Sequence, residues 1–339
     1  MIYSALVLVF FTSLLLTASL RKYALSRSMI DVPNERSSHS NPTPRGGGVS
    51  IVITVMLSFV GLYFSQTIDF PTFISLFLAG GLVAVIGFMD DHGHIAARWR
   101  LLGHFLAAAI VLFWTGGLPA IDFFGLLVDL QYAGYVFALF YLVWMLNLYN
   151  FMDGIDGLAS VEAICACLGM CVVYQVGGHT SLIPMSLLFA VAVAGFMYWN
   201  FPAAKIFMGD AGSGFIGIVL AAISLQAAQV SADLLWCWLI LLGVFVVDAT
   251  VTLFRRLLRG ARVYEAHRSH AYQYASRRVG RHAPVTLAVG LINVFWLLPL
   301  AVCVAYSLLS GAMALVIAYA PLIFLAVRFR AGQSEEQCV

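Results

Sequence analysis

Two adjacent carboxylates are the first residues of this chain whose type and spacing could do chemistry. Asp90 and Asp91 stand in the sequence Gly-Phe-Met-Asp-Asp-His, at the end of a long apolar run. Carboxylates held side by side at the end of a membrane helix repel each other and oppose the helix dipole, unless a cation is shared between them. Mg²⁺ is the natural cation, because it favours carboxylate oxygens together with substrate phosphates.

A second acidic group follows in the sequence Asn-Leu-Tyr-Asn-Phe-Met-Asp-Gly-Ile-Asp-Gly, which begins at Asn147. If the backbone is helical here, Asn150, Asp153 and Asp156 fall at i, i+3 and i+6 and share one face. We therefore expect the three side chains to converge on one ligand. A calcium loop is a poor alternative, because the glutamate at its twelfth position is missing.

A glycine-rich stretch, Lys-Ile-Phe-Met-Gly-Asp-Ala-Gly-Ser-Gly from Lys205, opens a later apolar run. The free backbone N–H groups at the start of such a helix would bind an anion. Asp210 would add a metal ligand, and Lys205 a counter-charge for phosphate. Phe207 would either anchor in lipid or stack on a base. The stretch is not a P-loop, because the GxxxxGK[ST] spacing is absent.

Two basic segments complete the set. In residues 31–48 the prolines exclude a continuous helix, and the three glycines at 46–48 permit close backbone approach and anion-binding turns. Residues 255–282 hold eight arginines together with His267 and His270. Such loops bind lipid headgroups or phosphorylated ligands, and the alternative for both segments is a role in membrane topology alone.

Membrane helices must position these segments. The 339 residues are 62% hydrophobic and 10% charged, whereas an ordinary soluble domain is about a quarter charged. Residues 118–131 are too short and mixed for a span and predict a small hairpin or surface segment. The apolar runs predict one domain, an all-α polytopic membrane protein with about eleven transmembrane helices, near 3–20, 46–66, 71–89, 101–117, 132–149, 157–177, 181–199, 213–230, 233–254, 284–306 and 308–327.

The distribution of positive charge predicts the orientation. All 18 Lys and Arg residues fall on one side of this topology, and by the positive-inside rule that side is the cytosol. The N-terminus is then outside and the C-terminus cytosolic. The polar segments share the cytosolic face, near 21–45, 90–100, 150–156, 200–213 and 255–283.

The combination of carboxylates, phosphate-binding backbone and cationic loops suits phosphoryl transfer between a cytosolic nucleotide compound and a lipid. A transporter or flippase is the first alternative, but it usually needs ionisable residues near mid-membrane, and the predicted spans carry few. A non-catalytic membrane scaffold is the second, but it would not need Asp90, Asp91 and Asp210. No segment predicts binding to nucleic acid.

These motifs resemble those of the polyprenyl-phosphate N-acetylhexosamine-1-phosphate transferases, the MraY/WecA superfamily. The resemblance covers nearly the whole chain, and within the superfamily it is closest to the WbpL-type transferases that start O-antigen assembly. The matching signatures, in the family's order, are DVPNERSSH…PTPRGGG (31–48), GFMDD (87–91), NLYNFMDGIDGLA (147–159), AKIFMGDAGSG (204–214) and the loop at 267–270.

The resemblance implies a reaction. N-acetylhexosamine-1-phosphate would pass from a UDP-N-acetylhexosamine to undecaprenyl phosphate, with Mg²⁺ (or Mn²⁺) as cofactor, releasing UMP. The site would lie at the cytosolic face of the bacterial inner membrane, among membrane lipid, and the product would start a surface glycan such as the O-antigen of lipopolysaccharide. The sugar, the polyprenol length, the glycan pathway and a homodimeric state are left open.

The resemblance also implies roles for individual residues. The catalytic residues would be Asp90, Asp91 and Asp210. Asp210 would ligate the metal, assisted by Asn150 or Asp91. Substrates would be bound by Arg45, Asp153, Asp156, Asn200, Lys205, Phe207, His267 and His270. A single displacement, with Asp90 or Asp91 positioning or deprotonating the lipid phosphate, is favoured over a two-step route through a covalent Asp210 or Asp90.

One departure concerns the last loop, His-Arg-Ser-His at 267–270. The MraY-type members resemble each other in three consecutive histidines there, and WecA-type members show a closer H-x-H-H pattern. Ser269 replaces one histidine, so we expect the middle position not to be essential. The departure also argues against the peptide-bearing sugar substrate of the MraY type.

Overall fold

A computed structural model describes residues 2–33, 39, 41–93, 95–261 and 267–333. Two short antiparallel hairpins are formed by β1 (Ile30–Asp31) with β2 (Thr43–Pro44) and by β3 (Ile121–Phe123) with β4 (Leu126–Val128). The α-helices are α1 (Ile2–Ser26), α2 (Val49–Phe64), α3 (Phe70–His92), α4 (Ala97–Thr115), α5 (Gln131–Met152), α6 (Leu158–Val176), α7 (Ile183–Asn200), α8 (Asp210–Val230), α9 (Ala232–Leu241), α10 (Gly243–Leu258), α11 (Ala271–Val279), α12 (Ala283–Ile292), α13 (Leu298–Ala305) and α14 (Gly311–Arg328). A 3₁₀ turn (Thr180–Leu182) precedes α7, and a π-helical turn (Asn293–Leu297) joins α12 to α13.

The expectation of an all-α polytopic membrane protein is confirmed. Within the described ranges, nine helical segments are long and apolar enough to cross a membrane, and a tenth is formed by α9 and α10, which meet at a 72° bend. The remaining expected span, near 46–66, is the 16-residue helix α2. At 1.5 Å per residue it is about 24 Å long, less than the roughly 30 Å of a hydrocarbon core.

The short α2 nevertheless runs the full length of the bundle. At its first turn, the backbone N–H of Gly48 donates to the carbonyl of Met208 at 2.8 Å, just before α8 begins. At its other end, the ring of Tyr63 stacks on Phe73 of α3, with the centroids 4.9 Å apart. Within the described ranges, α2 counted together with the nine apolar segments and the bent α9–α10 pair gives the eleven passes that the sequence predicted. An odd number places the first residue of α1 and the last of α14 at opposite ends, and which end is cytosolic stays a prediction.

The end of the bundle opposite the acidic segments carries the predicted hairpin. Residues 118–131 contain β3 and β4, paired in register from Ile121 opposite Val128 to Phe123 opposite Leu126. Phe123 meets Trp236 of α9 edge-to-face, with the ring centroids 5.1 Å apart. The hairpin thus rests on the start of α9, and its prediction is confirmed.

Helix α8 is the axis of the molecule. Within its membrane window 94% of the residues are buried, and its strongest packing is against α3 and α5. Small residues allow this approach. A Cβ on Gly217, for example, would come within 2.7 Å of the Met145 carbonyl of α5. The first residue of this central helix is Asp210, so the fold places that carboxylate at the centre of one end of the bundle.

A buried carboxylate ties α6 to the π-helical turn between α12 and α13. Glu162 of α6 is fully buried and accepts a hydrogen bond from the side-chain amide of Asn293 at 2.7 Å. Glu162 therefore holds α6 against the start of this turn.

Candidate active site

Asp210, at the first position of α8, is held by side chains from two other helices. The Asn150 amide of α5 donates to Asp210 Oδ1 at 2.8 Å, and the Arg100 guanidinium of α4 donates to Asp210 Oδ2 at 3.2 Å. The Asp210 side chain keeps 36% of its surface exposed. Asn150 and Asp210, which are 60 residues apart in the chain, thus meet as the sequence predicted.

Arg100 is shared by two carboxylates. The same Nη1 atom that meets Asp210 also pairs with Asp90 Oδ2, while Asp90 Oδ1 accepts the backbone N–H of Ile95 at 2.8 Å. The sequence predicted a shared cation for Asp90 and Asp91, whereas the structure pairs Asp90 with Asp210. Arg100 was not among the predicted site residues. The feature of the sequence that could have identified Arg100 is its position, ten residues after Asp90 and at the start of an apolar helix.

Asp91 faces the backbone instead of the open site. It is buried, and its two carboxylate oxygens accept the N–H groups of Asp210 at 3.1 Å and of Ala211 at 3.3 Å. A carboxylate in this position caps the first turn of α8 and complements the helix dipole. Asp91 is therefore directed toward the α8 backbone, whereas Asp90 shares Arg100 with Asp210. The geometry therefore favours Asp90 over Asp91 as the second carboxylate of the site.

The first basic segment clamps the same point. The Arg45 guanidinium donates to the backbone carbonyl of Asp91 at 2.7 Å. Beside it, a Cβ on Gly48 would come within 2.5 Å of the Gly212 Cα in α8. Only glycine allows so close an approach between two backbones. Arg45 thus supports the Asp91 cap, and its predicted contact with substrate stays a prediction.

The acidic loop after α5 differs from the helical expectation. Helix α5 ends at Met152 and Asp153 is its C-cap, so Asn150, Asp153 and Asp156 do not continue along one helix face. Burial, and the negative charges of the neighbouring carboxylates, raise the pKa of Asp153 well above its ordinary value. The glycines at 154 and 157 break the helix, since glycine is unfavourable in helix interiors.

Asp156 and Asn200 brace this loop. Asp156 Oδ2 accepts the N–H of Ala204 at 3.0 Å, and Oδ1 lies 3.0 Å from Nδ1 of His282. The Asn200 amide accepts the N–H of Gly157 at 2.9 Å and donates to the carbonyl of Ile206 at 3.0 Å. These bonds tie the loop before α6 to the segment before α8. In this structure both side chains hold the loop in place, and their predicted contact with the nucleotide stays a prediction.

Phe207 and Lys205 point in different directions. The half-buried Phe207 meets the His39 ring edge-to-face, with the centroids 4.8 Å apart, beside the β2 segment. The Lys205 ammonium lies 5.5 Å from the ring centroid of Trp199 and 5.6 Å from that of Tyr198, which is exposed on the outside of the bundle. The Lys205 side chain is thus directed toward the outer surface, and its role as a counter-charge for phosphate stays a prediction.

The two histidines of the last loop form a stack. The rings of His267 and His270 lie 5.0 Å apart at 25°. Nδ1 of the buried His270 is 3.3 Å from Oδ1 of Asp248 in α10. Burial, together with the nearby positive groups, lowers the pKa of His267 to about 3. Asp248 was not among the predicted site residues, although its place about two helical turns before Arg255 and Arg256 puts it within reach of the cytosolic interface.

Helix α11 links the histidines to the acidic loop. The Tyr272 hydroxyl donates to the carbonyl of Phe151 at 3.0 Å, and Phe151 directly follows Asn150, whose side chain holds Asp210. A Cβ on Gly154 would collide with this hydroxyl. Two of the predicted groups, the carboxylates and the histidines, are therefore joined through residues 151–154.

A cavity of about 160 Å³ opens beside Asp210. Its polar end carries Asp210, Asn150 and Arg100, and its walls come from α3, α4, α5 and α8. The other lining side chains are mostly apolar and include Val83, Ile86, Leu101, His104 and Leu146. The cavity therefore combines a charged end with a lipid-like interior.

The residues present fit a Mg²⁺ ion in one way. Within the described ranges, no three Asp, Glu, His or Cys side chains lie together as a closed metal site. Mg²⁺ does not require one, because it commonly keeps several waters and uses one or two carboxylates plus substrate phosphates. Asp210 and Asp90, already close enough to share one cation, with Asn150 beside them, are such a set. Asp91 is directed to the α8 backbone instead, and its predicted role as a metal ligand stays a prediction.

The sequence of this chain is similar to those of several known proteins. The family model described as glycosyl transferase family 4 matches residues 73–228. A probable undecaprenyl-phosphate N-acetylglucosaminyl 1-phosphate transferase of Bacillus subtilis is 29% identical over 268 residues, covering 77% of this chain and 73% of the relative. A phospho-N-acetylmuramoyl-pentapeptide-transferase of Streptococcus pneumoniae is 31% identical over 69% of this chain and 74% of the relative. A decaprenyl-phosphate N-acetylglucosaminephosphotransferase of Mycolicibacterium smegmatis is 32% identical over 62% of this chain and 56% of the relative.

Proposed function

The chain belongs to the polyprenyl-phosphate N-acetylhexosamine-1-phosphate transferases of the MraY/WecA superfamily, and we propose that it transfers N-acetylhexosamine-1-phosphate from a UDP-sugar to undecaprenyl phosphate. The site lies at the cytosolic face of the bacterial inner membrane. The product, an undecaprenyl-diphosphate-sugar, starts a surface glycan such as the O-antigen, as the likeness of the motifs to WbpL-type transferases suggests.

One observation carries the proposal. Asp210, Asn150 and Arg100 form the charged end of a cavity whose remaining walls are largely apolar, and Asp90 is paired with Arg100 behind it. A water-soluble nucleotide sugar and a lipid phosphate have opposite solubilities, and their reacting phosphates must meet at such a boundary. The basic residues of the sequence, all predicted on this side, favour the approach of two anionic substrates.

The reaction is a single displacement at phosphorus. An oxygen of the lipid phosphate attacks the β-phosphorus of the UDP-sugar, and the bond from that phosphorus to the bridging oxygen breaks. The bridging oxygen leaves with the α-phosphate as UMP. A phosphate monoester has a second pKa near 6 and is largely a dianion at neutral pH, so the attacking oxygen needs no strong base.

The chain's own groups lower the repulsion between the anions. Mg²⁺, held by Asp210 with Asn150 and Asp90, would neutralise phosphate charge when bound. Arg100 already lies between the two carboxylates and supplies a fixed positive charge at the same point. Positioning and charge neutralisation are the main contributions in phosphoryl transfer.

The single displacement is favoured over a covalent route by the state of Asp90. Its Oδ1 accepts a backbone N–H and its Oδ2 is paired with a guanidinium. Carboxylate oxygens held in this way are weak nucleophiles, because their lone pairs are engaged. Exchange of labelled UMP into the UDP-sugar without lipid is the measurement that separates the routes. Only a covalent enzyme would catalyse that exchange.

The main test is UMP release by the purified protein in detergent. Undecaprenyl phosphate and Mg²⁺ would be supplied with the UDP-linked forms of GlcNAc, GalNAc, QuiNAc and FucNAc in turn. We expect UMP with one or more donors, none without lipid or with EDTA, and none from Asp210→Asn. Asp122→Asn, on the hairpin at the opposite end, is the matched control and should keep full activity. Folded protein that releases no UMP with any donor would refute the proposal.

A further inference from the structure

Asp248 is a buried carboxylate that the proposed reaction does not use directly. It lies in α10, beyond the bend, and accepts hydrogen bonds from Nδ1 of His270 at 3.3 Å and from the backbone N–H groups of Ala271 at 2.9 Å and Tyr272 at 3.0 Å. The hydroxyl of Thr252, one turn later in α10, donates to the same carboxylate at 3.1 Å. Four donors from two helices therefore end on a single side chain.

We propose that Asp248 is a positioning residue that orients the His267–His270 pair toward the nucleotide sugar. This inference rests on the proposed function. Asp248 acts through other residues in three steps, each supported by a separate contact.

The first step fixes the ring of His270. A carboxylate that accepts from Nδ1 holds the imidazole in the tautomer with a proton on that nitrogen and sets the plane of the ring. Because His270 is also the N-cap of α11, with its own N–H donating to the side chain of Gln273 at 3.2 Å, the ring cannot rotate without disturbing the helix start.

The second step transmits that orientation to the more exposed ring. His267 stacks on His270 at 5.0 Å and 25°, and its Nδ1 lies 3.0 Å from the hydroxyl of Ser269. These two contacts define the plane of the His267 ring, and the stacking contact depends on the orientation of His270. His267 is thus the member of the pair that is left to meet a ligand.

The third step places the pair relative to the carboxylates. By accepting the N–H groups of Ala271 and Tyr272, Asp248 anchors the first turn of α11. From that turn the Tyr272 hydroxyl reaches the carbonyl of Phe151, next to the α5 turn that carries Asn150. Asp248 therefore sets the distance between the histidines and the Asp210 end of the cavity.

A double-mutant cycle tests the inference. The kinetic constants for the UDP-sugar and for undecaprenyl phosphate would be measured for wild type, Asp248→Asn, His267→Ala and the double variant. We expect Asp248→Asn to lower kcat/KM for the UDP-sugar by about 10- to 100-fold, the usual effect of losing a residue that orients a ligand-binding histidine. The KM for the lipid should change less than about twofold, and the double variant should be no worse than His267→Ala alone. Independent, multiplicative effects, or kinetics like those of wild type, would overturn the proposal.

Two further measurements keep the test decisive. If Asp248→Asn does not fold, His270→Ala replaces it in the cycle. The His270 ring lies between Asp248 and His267, so its removal must also abolish the effect of Asp248 on His267. Independently of activity, ¹⁵N spectra of labelled histidine should show the His270 ring, assigned by its absence in His270→Ala, protonated on Nδ1 in the wild type, with this signal lost in Asp248→Asn. An unchanged spectrum would sink the inference even with UMP release intact. Absence of UMP release with the spectral change present would instead sink the proposed function alone.

Discussion

The Asp91 carboxylate accepts the backbone N–H of Asp210 at 3.1 Å, so the second residue of the acidic pair supports the backbone of the residue whose side chain faces the open site. The two residues are 119 positions apart and lie at the end of α3 and the start of α8. The two residues of the acidic pair therefore have different roles. Asp90 contributes charge to the site, and Asp91 holds the helix from which Asp210 projects.

This division predicts different metal dependence for two variants. Asp91→Asn retains one acceptor for the α8 N-terminus but loses the charge, so we expect reduced stability, on the order of 1 kcal/mol, and reduced turnover. Asp210→Asn removes a metal ligand. Titration of activity or of Mn²⁺ binding should show a large rise in the metal concentration needed by Asp210→Asn and little change in Asp91→Asn. Equal changes would return Asp91 to the metal ligands that the sequence predicted.

Arg100 should oppose metal binding while it supports turnover. Its guanidinium lies between Asp90 and Asp210, where it repels a second cation. We expect Arg100→Ala to bind Mn²⁺ more tightly than wild type and to lose at least about tenfold in kcat, because the fixed charge on the substrate phosphates is gone. Arg100→Lys should recover part of the rate. Weaker Mn²⁺ binding by Arg100→Ala would contradict this view.

Gly87 is predicted to be intolerant of any side chain. A Cβ added at this position would come within 2.5 Å of the backbone nitrogen of Ala211, where α3 crosses the start of α8. We expect Gly87→Ala to shift Asp210, with a loss of activity of at least about tenfold and a destabilisation of about 1–3 kcal/mol. Gly61→Ala in α2, where nothing lies within 4 Å, is the matched control. Activity assays and thermal unfolding in detergent compare the two variants.

Acid should destabilise the protein through His267. Its pKa in the folded protein is lowered from 6.5 to about 3, so between these values the unfolded chain binds a proton that the folded chain excludes. Stability must therefore fall as the pH falls below about 6.5. We expect the thermal midpoint in detergent to drop between pH 7.5 and pH 5, and to drop less in His267→Gln. Equal drops in both proteins would contradict the assignment.

Glu162 should be needed for the contact of α6 with the π-helical turn at Asn293–Leu297. Glu162→Ala would leave an N–H of the buried Asn293 amide without its acceptor, at a cost of about 1–3 kcal/mol. Glu162→Gln keeps an acceptor of the same shape. We therefore expect the alanine variant to unfold at lower temperature and to lose activity, and the glutamine variant to keep most of both. Thermal unfolding and UMP release measure the two effects.

The sequence was sufficient for those parts of the site that depend on local pattern. Asp210 at the start of a helix followed from the glycine-rich stretch before an apolar run, and the hairpin at 118–131 followed from a segment too short to span. The meeting of Asn150 with Asp210 depended on the family resemblance, because no local rule joins residues 60 positions apart.

What the sequence missed depends on three-dimensional packing. Asp248 reaches the histidines only because α10 bends by 72° from α9. Arg100 was counted among the basic residues that set the topology, although its neighbours are two carboxylates. Lys205 has the expected charge in the expected segment, but its ammonium group lies near the rings of Tyr198 and Trp199 at the outer surface. Motif spacing reports which residues are near in sequence, and it does not report where their side chains point.

The enclosure of α8 restricts how the proposed lipid substrate can arrive. A lipid diffusing in the bilayer meets only the outer helices, whereas Asp210 lies on the molecular axis. The lipid phosphate must therefore move laterally out of the bilayer and insert its headgroup between two helices. This entry is a separate step with its own rate. Lipids with bulky headgroups would not pass through the gap between the helices. The width of the headgroup would therefore limit which lipids reach Asp210 before the reaction begins.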